Sequence, residues 1–307
     1  MINVIGSSFT QGVVWAVMAI GVYVMFRLFG IANLSAEGVF PLGAAITASL
    51  ISNGVDPVSA TLASFIGGML GGLLAGWMHT KLLIPPLLTG IMVLTGLYSI
   101  NLHVMQGRPN IALLGQDTIY TWLNNLSPSL SKNMTVSIVS LIVLAIVIAL
   151  LVLFLNTEIG LALRSTGDNE EMSKANGINT DFMIILGYMI ANGLIGLAGS
   201  MVAQKDGFSD IGMGIGTIVI GLASIIVAEV IFPNKSIGVR LITVIIGSFV
   251  YRLIIDTILN QPFIDIKPTD LRLFSAILLT VVLYLPEMQR RRAEKNRRKA
   301  LNEGGSA

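Results

Sequence analysis

Nine runs of mostly apolar residues, joined by short polar connections, leave this chain few ways to fold. About 20 such residues cross the hydrocarbon of a bilayer as a helix. Inside lipid, a helix satisfies its own backbone N–H and C=O groups. The runs are Phe9–Phe29, Leu34–Ser52, Val58–His79, Pro85–His103, Thr135–Leu155, Phe182–Ala203, Gly212–Phe232, Ile237–Ile258 and Leu271–Leu285. Charged residues make up 12% of the chain, about half the ~25% of soluble domains, which excludes a water-soluble globule. The first run lacks a basic leader and a small-residue cleavage site, so it reads as a retained helix. The sequence therefore predicts an all-α polytopic membrane protein.

Lysine and arginine set its orientation, because cytoplasmic connections carry their excess. With nine spans, the N-terminus outside and the C-terminus inside, the inner connections hold Arg27, Lys81, Arg164, Lys174, Lys235 and Arg240. The stretch 287–307 adds seven more basic residues there. The outer side holds Arg108, Lys132, Lys205, Lys267 and Arg272. Residues 1–286 read as one transmembrane domain and 287–307 as a basic cytoplasmic tail. Directly after a span, the tail is a topology anchor that meets membrane lipid rather than nucleic acid.

Several spans are irregular. Pro41 interrupts the second, which Asn33-Leu-Ser-Ala-Glu37-Gly38 opens with polar groups at membrane depth. Broken helices survive there only where protein covers them or where they line a cavity. The third run carries Gly67, Gly68, Gly71, Gly72 and Gly76, spacings that admit a neighbouring helix closely. Gly212, Gly214 and Gly216 make the start of the seventh loop-like or re-entrant. Residues 104–133 form one long outer connection.

The inner connection 157–180 is the richest in signals. Asp168 or Thr166 is placed to cap a short helix, with Glu170 and Glu171 near its positive end and Gly177 stopping it. Such a helix between two spans is suited to pass motion from a soluble partner into the bilayer. An ordinary solvated loop fits the composition equally well.

Thr157, Gly160, Leu163, Arg164, Gly167, Asn169, Gly177 and Ile178 also stand in the order of a pattern, T-x-x-G-x-x-L-R-A-x-G-x-N followed by G-I. That pattern belongs to the cytoplasmic loop of ABC-importer permeases of the branched-chain amino-acid, ribose and nucleoside superfamily, which the stretch resembles. Asn33 to Ala44 resembles the N-x-x-x-E-G-x-x-x-x-G-A opening of their broken second helix, and Ala191–Gly199 their S-G-x-L-A-G-L-A-G span. Ser165 and Met172-Ser173 depart from the usual small residues. Overall the chain looks most like permeases linked to tryptophan or other aromatic amino acids.

The resemblance implies two permease chains, a homodimer if one gene supplies both, in the plasma membrane of a bacterium. Two cytoplasmic ABC ATPases would hold the ATP and magnesium, and an outer substrate-binding protein would deliver cargo. Arg164, Gly167, Asp168, Asn169, Glu170, Glu171, Lys174 and Gly177 would then form the coupling segment. The chain itself has no G-x-x-x-x-G-K-[ST] phosphate loop, so no cofactor and no catalytic residue is expected in it. His79 and His103 lie at opposite ends of adjacent spans, which gives no shared metal site.

At membrane depth an ionisable group faces a cavity or a partner. Glu37 either lines the path and holds the bend, or caps nearby backbone N–H groups. Asn33 and Ser35 stand at a half-helix N-terminus, whose free N–H groups suit a carboxylate. Thr95, Tyr98 and Asn101 share an approximate stripe on the fourth span, fitting a lumen or an interhelical seam. Glu229 reads as snorkelling to the interface. Arg252 and Asp256, at i and i+4, read as a structural pair.

An importer of a hydrophobic or aromatic amino acid is the leading expectation. A nucleoside or purine importer is the second, and an ATP-independent secondary transporter with Glu37 as proton site the third. No nucleophile–base constellation supports an intramembrane enzyme.

Overall fold

The computed structural model describes residues 2–126, 131–233, 236–259, 273–278, 280, 281 and 284. Helix starts follow local chemistry. Helix α1 (Ile2–Tyr23) continues as a π-helical turn over Val24–Leu28, and the chain leaves it at Gly30, φ +67°. After α2 (Ala36–Ser52), α3 (Pro57–Lys81) begins with a proline at N1, and Asp56 accepts the Ser59 N–H at 3.0 Å. Proline also opens α4 (Pro86–Val104). The short α5 (Ile119–Leu126) precedes α6 (Lys132–Leu155), capped by Ser131. Thr157 caps α7 (Glu158–Asp168), Asn169 caps α8 (Glu170–Ala175), and Asn179 caps α9 (Thr180–Asp206). Helices α10 (Thr217–Ile231) and α11 (Ile237–Leu259) follow.

Among the described residues, six helices are long and apolar enough to cross a bilayer: α1 with its π turn, α3, α4, α6, α9 and α11. Helices α2 and α10 are apolar but shorter, at 17 and 15 residues. At 1.5 Å per residue they span roughly 26 and 22 Å, less than the ~30 Å hydrocarbon. Of the ninth expected run, Leu271–Leu285, residues 273–278 are helical, and much of the rest lies outside the described residues. The tail 287–307 also lies outside them. The only strands among the described residues, β1 (Asn110–Ala112) and β2 (Phe208–Asp210), pair antiparallel, Ile111 opposite Ser209.

Burial orders the helices. The apolar windows of α1 and α9 are 78% and 72% buried, those of α4 and α6 only 28%, so α1 and α9 form the centre. The expected glycine stripe does what its spacing requires. Gly68 lies on the Asn192 carbonyl of α9, Gly72 on that of Tyr188, and Gly76 on the Ile185 backbone. Gly43 of α2 meets Gly196 of α9 in the same way. At these crossings a Cβ would occupy backbone, and small residues let membrane helices pack by contact alone.

One expectation is corrected and one is met. Pro41 does not interrupt α2, which is continuous across it. Proline withholds only the N–H that the Glu37 carbonyl would accept, and Gly214 packs against that carbonyl and the Pro41 ring. The break falls earlier, over residues 29–35. In the seventh run the helix starts only at Thr217, after a turn through the three glycines.

Candidate functional site

The two short helices begin beside each other, deep in the molecule. Asn33, just before α2, hydrogen-bonds Asn192, which lies about 18 Å along α9 from Thr180. From there α2 runs toward the Lys205 end of α9, with Thr47 donating to Ser200 at 2.7 Å. Helix α10 starts against Glu37 and runs the other way, ending where Glu229 meets Arg27 at 2.8 Å. Two positive helix ends thus converge about halfway along α9.

Side chains of the chain itself fill this junction. The Gly216 N–H, at the N-cap of α10, donates to Glu37 Oε1 at 2.9 Å. Gly216 has φ +82°, a conformation glycine adopts without strain. On the α2 side, Asn33 Oδ1 accepts from the Ser35 N–H at 3.2 Å and hydroxyl at 2.5 Å. Asn33 Nδ2 donates to Asn192 Oδ1 at 2.8 Å, and Asn192 Nδ2 donates to the Ser35 hydroxyl at 2.9 Å. Asn33, Ser35 and Asn192 form a closed, buried ring. Asn101 joins from α4, donating to the Gly38 carbonyl at 3.2 Å.

The expected α4 stripe is divided. Asn101 is buried against α2, whereas Thr95 and Tyr98 are exposed, Tyr98 by 54%. Around them the exposed face of α4 carries Gly96 and Ser99 together with the apolar Leu87, Leu88, Ile91, Met92 and Ile100. The exposed face of α6 is instead aliphatic, with Leu141, Ile142, Ile146, Leu150 and Leu153.

A second polar region lies where α1, α3 and α10 end. The inner segment folds as two helices, with Asn169 extended between them. Asn169, rather than Asp168 or Thr166, caps the second, its Oδ1 accepting the Met172 N–H at 2.9 Å. Thr166 points back into α7, donating to the Ala162 carbonyl at 2.8 Å, and is 3% exposed. Gly177, at φ +81°, follows the C-cap Asn176 and ends α8 as its position predicts. Facing outward are Asp168, Asn169, Glu170, Glu171, Met172 and Lys174.

The segment is wired to the core. Gly167 packs against the Leu28 carbonyl at the end of the π turn, and Gly160 against the carbonyl of Phe154. The Ser165 and Ser173 hydroxyls lie 2.6 Å apart and tie α7 to α8. Arg164 is half-buried between these contacts.

Other ionisable groups take partners that spacing along one helix does not show. Glu229 meets Arg27 across α1 and α10, and Lys81 meets Asp181 across α3 and α9 at 2.6 Å. Arg252 and Asp256 do not form the expected ion pair. Arg252 lies over the Trp15 ring, 4.5 Å from its centroid, while Asp256 accepts from Ser8 at 2.6 Å. A guanidinium over indole is itself stabilised, by up to about 2 kcal/mol where desolvated.

Among the described residues, six apolar spans, two shorter apolar helices whose starts meet, and a polar helix pair clamped onto one face are those of a multi-pass membrane protein. The chain belongs to the family described as branched-chain amino acid transport system / permease component, whose pattern matches residues 4–285. It is 39% identical over 277 residues to the tyrosine transport system permease protein of Clostridioides difficile, covering 90% of this chain and 89% of that one. An uncharacterized protein of Rickettsia prowazekii is 31% identical over 288 residues, 92% of this chain and 97% of its own. A chain in the structure of PsaBC from Streptococcus pneumoniae in complex with Fab shares the fold at TM-score 0.50 and 15% identity, covering 90% of this chain and 89% of that one. The protein is thus an ABC-type permease, a multi-pass protein of the plasma membrane and a transporter rather than an enzyme.

Proposed function

We propose that this chain is the membrane-spanning subunit of an ATP-driven importer for an aromatic amino acid, tyrosine being the first substrate to test. The observation that carries the mechanism is the contact of Gly167 with the Leu28 carbonyl. It joins the exposed α7–α8 segment to central α1, and the π turn is the element placed to yield. A partner ATPase that seats on Glu170, Glu171, Met172 and Lys174, and pulls on binding ATP, would move α7 against the end of α1. ATP and magnesium belong to that partner. The similarity to a tyrosine permease supports the substrate class.

The remaining assignments follow the same reading. Residues 1–286 form nine spans, with the α7–α8 face and the tail 287–307 in the cytoplasm and the β1–β2 face outside. An outer binding protein delivers substrate, and two copies of this chain enclose the path. Glu37, with the exposed Thr95 and Tyr98, lines it. The exposed Thr95, Tyr98 and Ser99 support this, a polar patch on a face that is otherwise apolar, where the mid-span exposed face of α6 has only aliphatic side chains. Asn33, Ser35 and Asn101 hold the start of α2 in place.

Uptake of labelled tyrosine by proteoliposomes holding the permease, its ATPase and its binding protein tests the proposal. Uptake is expected to need ATP and to survive a protonophore. Uptake by the permease alone, collapsing with the proton gradient, would favour a secondary transporter. A binding protein stabilised by nucleosides and not by amino acids would favour a nucleoside importer.

A further inference from the structure

Helix α6 packs against α1, α5, α7 and α11, and stands off from α3 and α9. The gap is a cleft of about 1070 Å³ between α3 and α6, floored by α9. Its walls are aliphatic and aromatic from Val139 to Phe154 of α6, a length of about 22 Å. That exceeds one leaflet's share of a ~30 Å hydrocarbon layer.

The cleft is polar at one end only. There Asp56 and Asp117 line it together with Thr118 and Thr121, and Trp122, 71% exposed, stands beside them. Among the described residues no Lys, Arg or His lines the cleft, and neither aspartate is in an ion pair. Asp56 accepts the Ser59 N–H at 3.0 Å and the Ser59 hydroxyl at 3.3 Å, both on Oδ2, and Asp117 accepts the Thr121 hydroxyl at 3.4 Å. A carboxylate offers about four acceptor positions, so both keep capacity for a donor outside the protein. The end of the cleft lies on the membrane face opposite α7–α8, where Trp122 is suited to the headgroup level.

We propose that this cleft holds a phospholipid with a primary-amine headgroup, its acyl chains between α3 and α6 and its ammonium between Asp56 and Asp117. The charge pattern selects the headgroup: an ammonium brings three donors to two carboxylates, whereas an anionic headgroup meets only repulsion. The apolar walls accept any chain, so discrimination sits at the polar end.

The test uses the purified permease in nanodiscs of equal phosphatidylethanolamine and phosphatidylglycerol, released into native mass spectrometry. Wild type is expected to retain the amine lipid about five-fold over the anionic one, as one charge near a membrane surface would give. D56N/D117N is expected to lose that preference. Asparagine caps helices as well as aspartate does, so the start of α3 is kept and the variant reports on charge. I146W, which narrows the cleft, is expected to reduce retention of both lipids at unchanged protein yield. Equal retention of the two lipids by wild type, or an undiminished preference in D56N/D117N, would overturn the proposal. So would efficient disulfide crosslinking through a cysteine at Ile146 to a second copy or another protein helix.

Discussion

The carboxylate of Glu37, in the first turn of α2, accepts a 2.9 Å hydrogen bond from the backbone N–H of Gly216, 179 residues away at the start of α10. One side chain thereby holds two short helices of opposite direction, and its negative charge faces a positive helix end. Replacing it separates the two roles. E37Q keeps an acceptor and is expected to retain the fold. E37A leaves a part-buried N–H without a partner and should cost about 1–3 kcal/mol. Thermal unfolding in detergent, with E37Q at least as close to wild type as E37A, checks this.

Gly214 closes the same junction from the other side, against the Glu37 carbonyl that Pro41 leaves without a helical donor. In G214A the added methyl would meet that carbonyl and the proline ring. The variant is expected to lower folded yield and melting temperature. G96A on α4 is the control: nothing lies within 4 Å of its added methyl, and alanine favours helix by up to about 1 kcal/mol. It should be neutral or stabilising.

Asn33, Ser35 and Asn192 form one unit, so their energies should not add. Hydrogen bonds between membrane helices average about 0.6 kcal/mol. Removing Asn192 strips partners from two buried side chains at once, so about 1–3 kcal/mol is expected for N192A. N33A/N192A should cost clearly less than the sum of the single variants, measured by equilibrium unfolding in mixed micelles.

Gly167 tests the transmission route. G167V puts side-chain atoms where the Leu28 carbonyl sits. Its surface residues stay in place, so ATPase association should persist while substrate uptake falls at least ten-fold. Loss of both together would make the contact a folding requirement only.

Much of this was legible in the chain. Apolar runs gave the long helices, the Gly68–Gly72–Gly76 spacing gave a close helix crossing but not its partner α9, and Asn33 and Glu37 were marked by being polar in or beside an apolar run. What stayed hidden depends on long-range partners. Nothing near Asn192 in sequence shows that it closes a ring with Asn33, and nothing near Gly216 shows that it meets Glu37. Arg252 and Asp256 show the opposite error: correct helical spacing suggested a pair, and Trp15 and Ser8, from another helix, took its place. The polar seam of Thr47, Ser64, Thr61, Ser200 and Gln204 was missed because each residue sits alone in an apolar run.

The α7–α8 segment as the docking surface for an ATPase is the central claim. Co-purification of the cognate ATPase with a permease whose residues 167–177 are replaced by a Gly/Ser linker tests it most directly. The linker variant should insert at wild-type level and capture no ATPase. Capture at wild-type yield would contradict the claim.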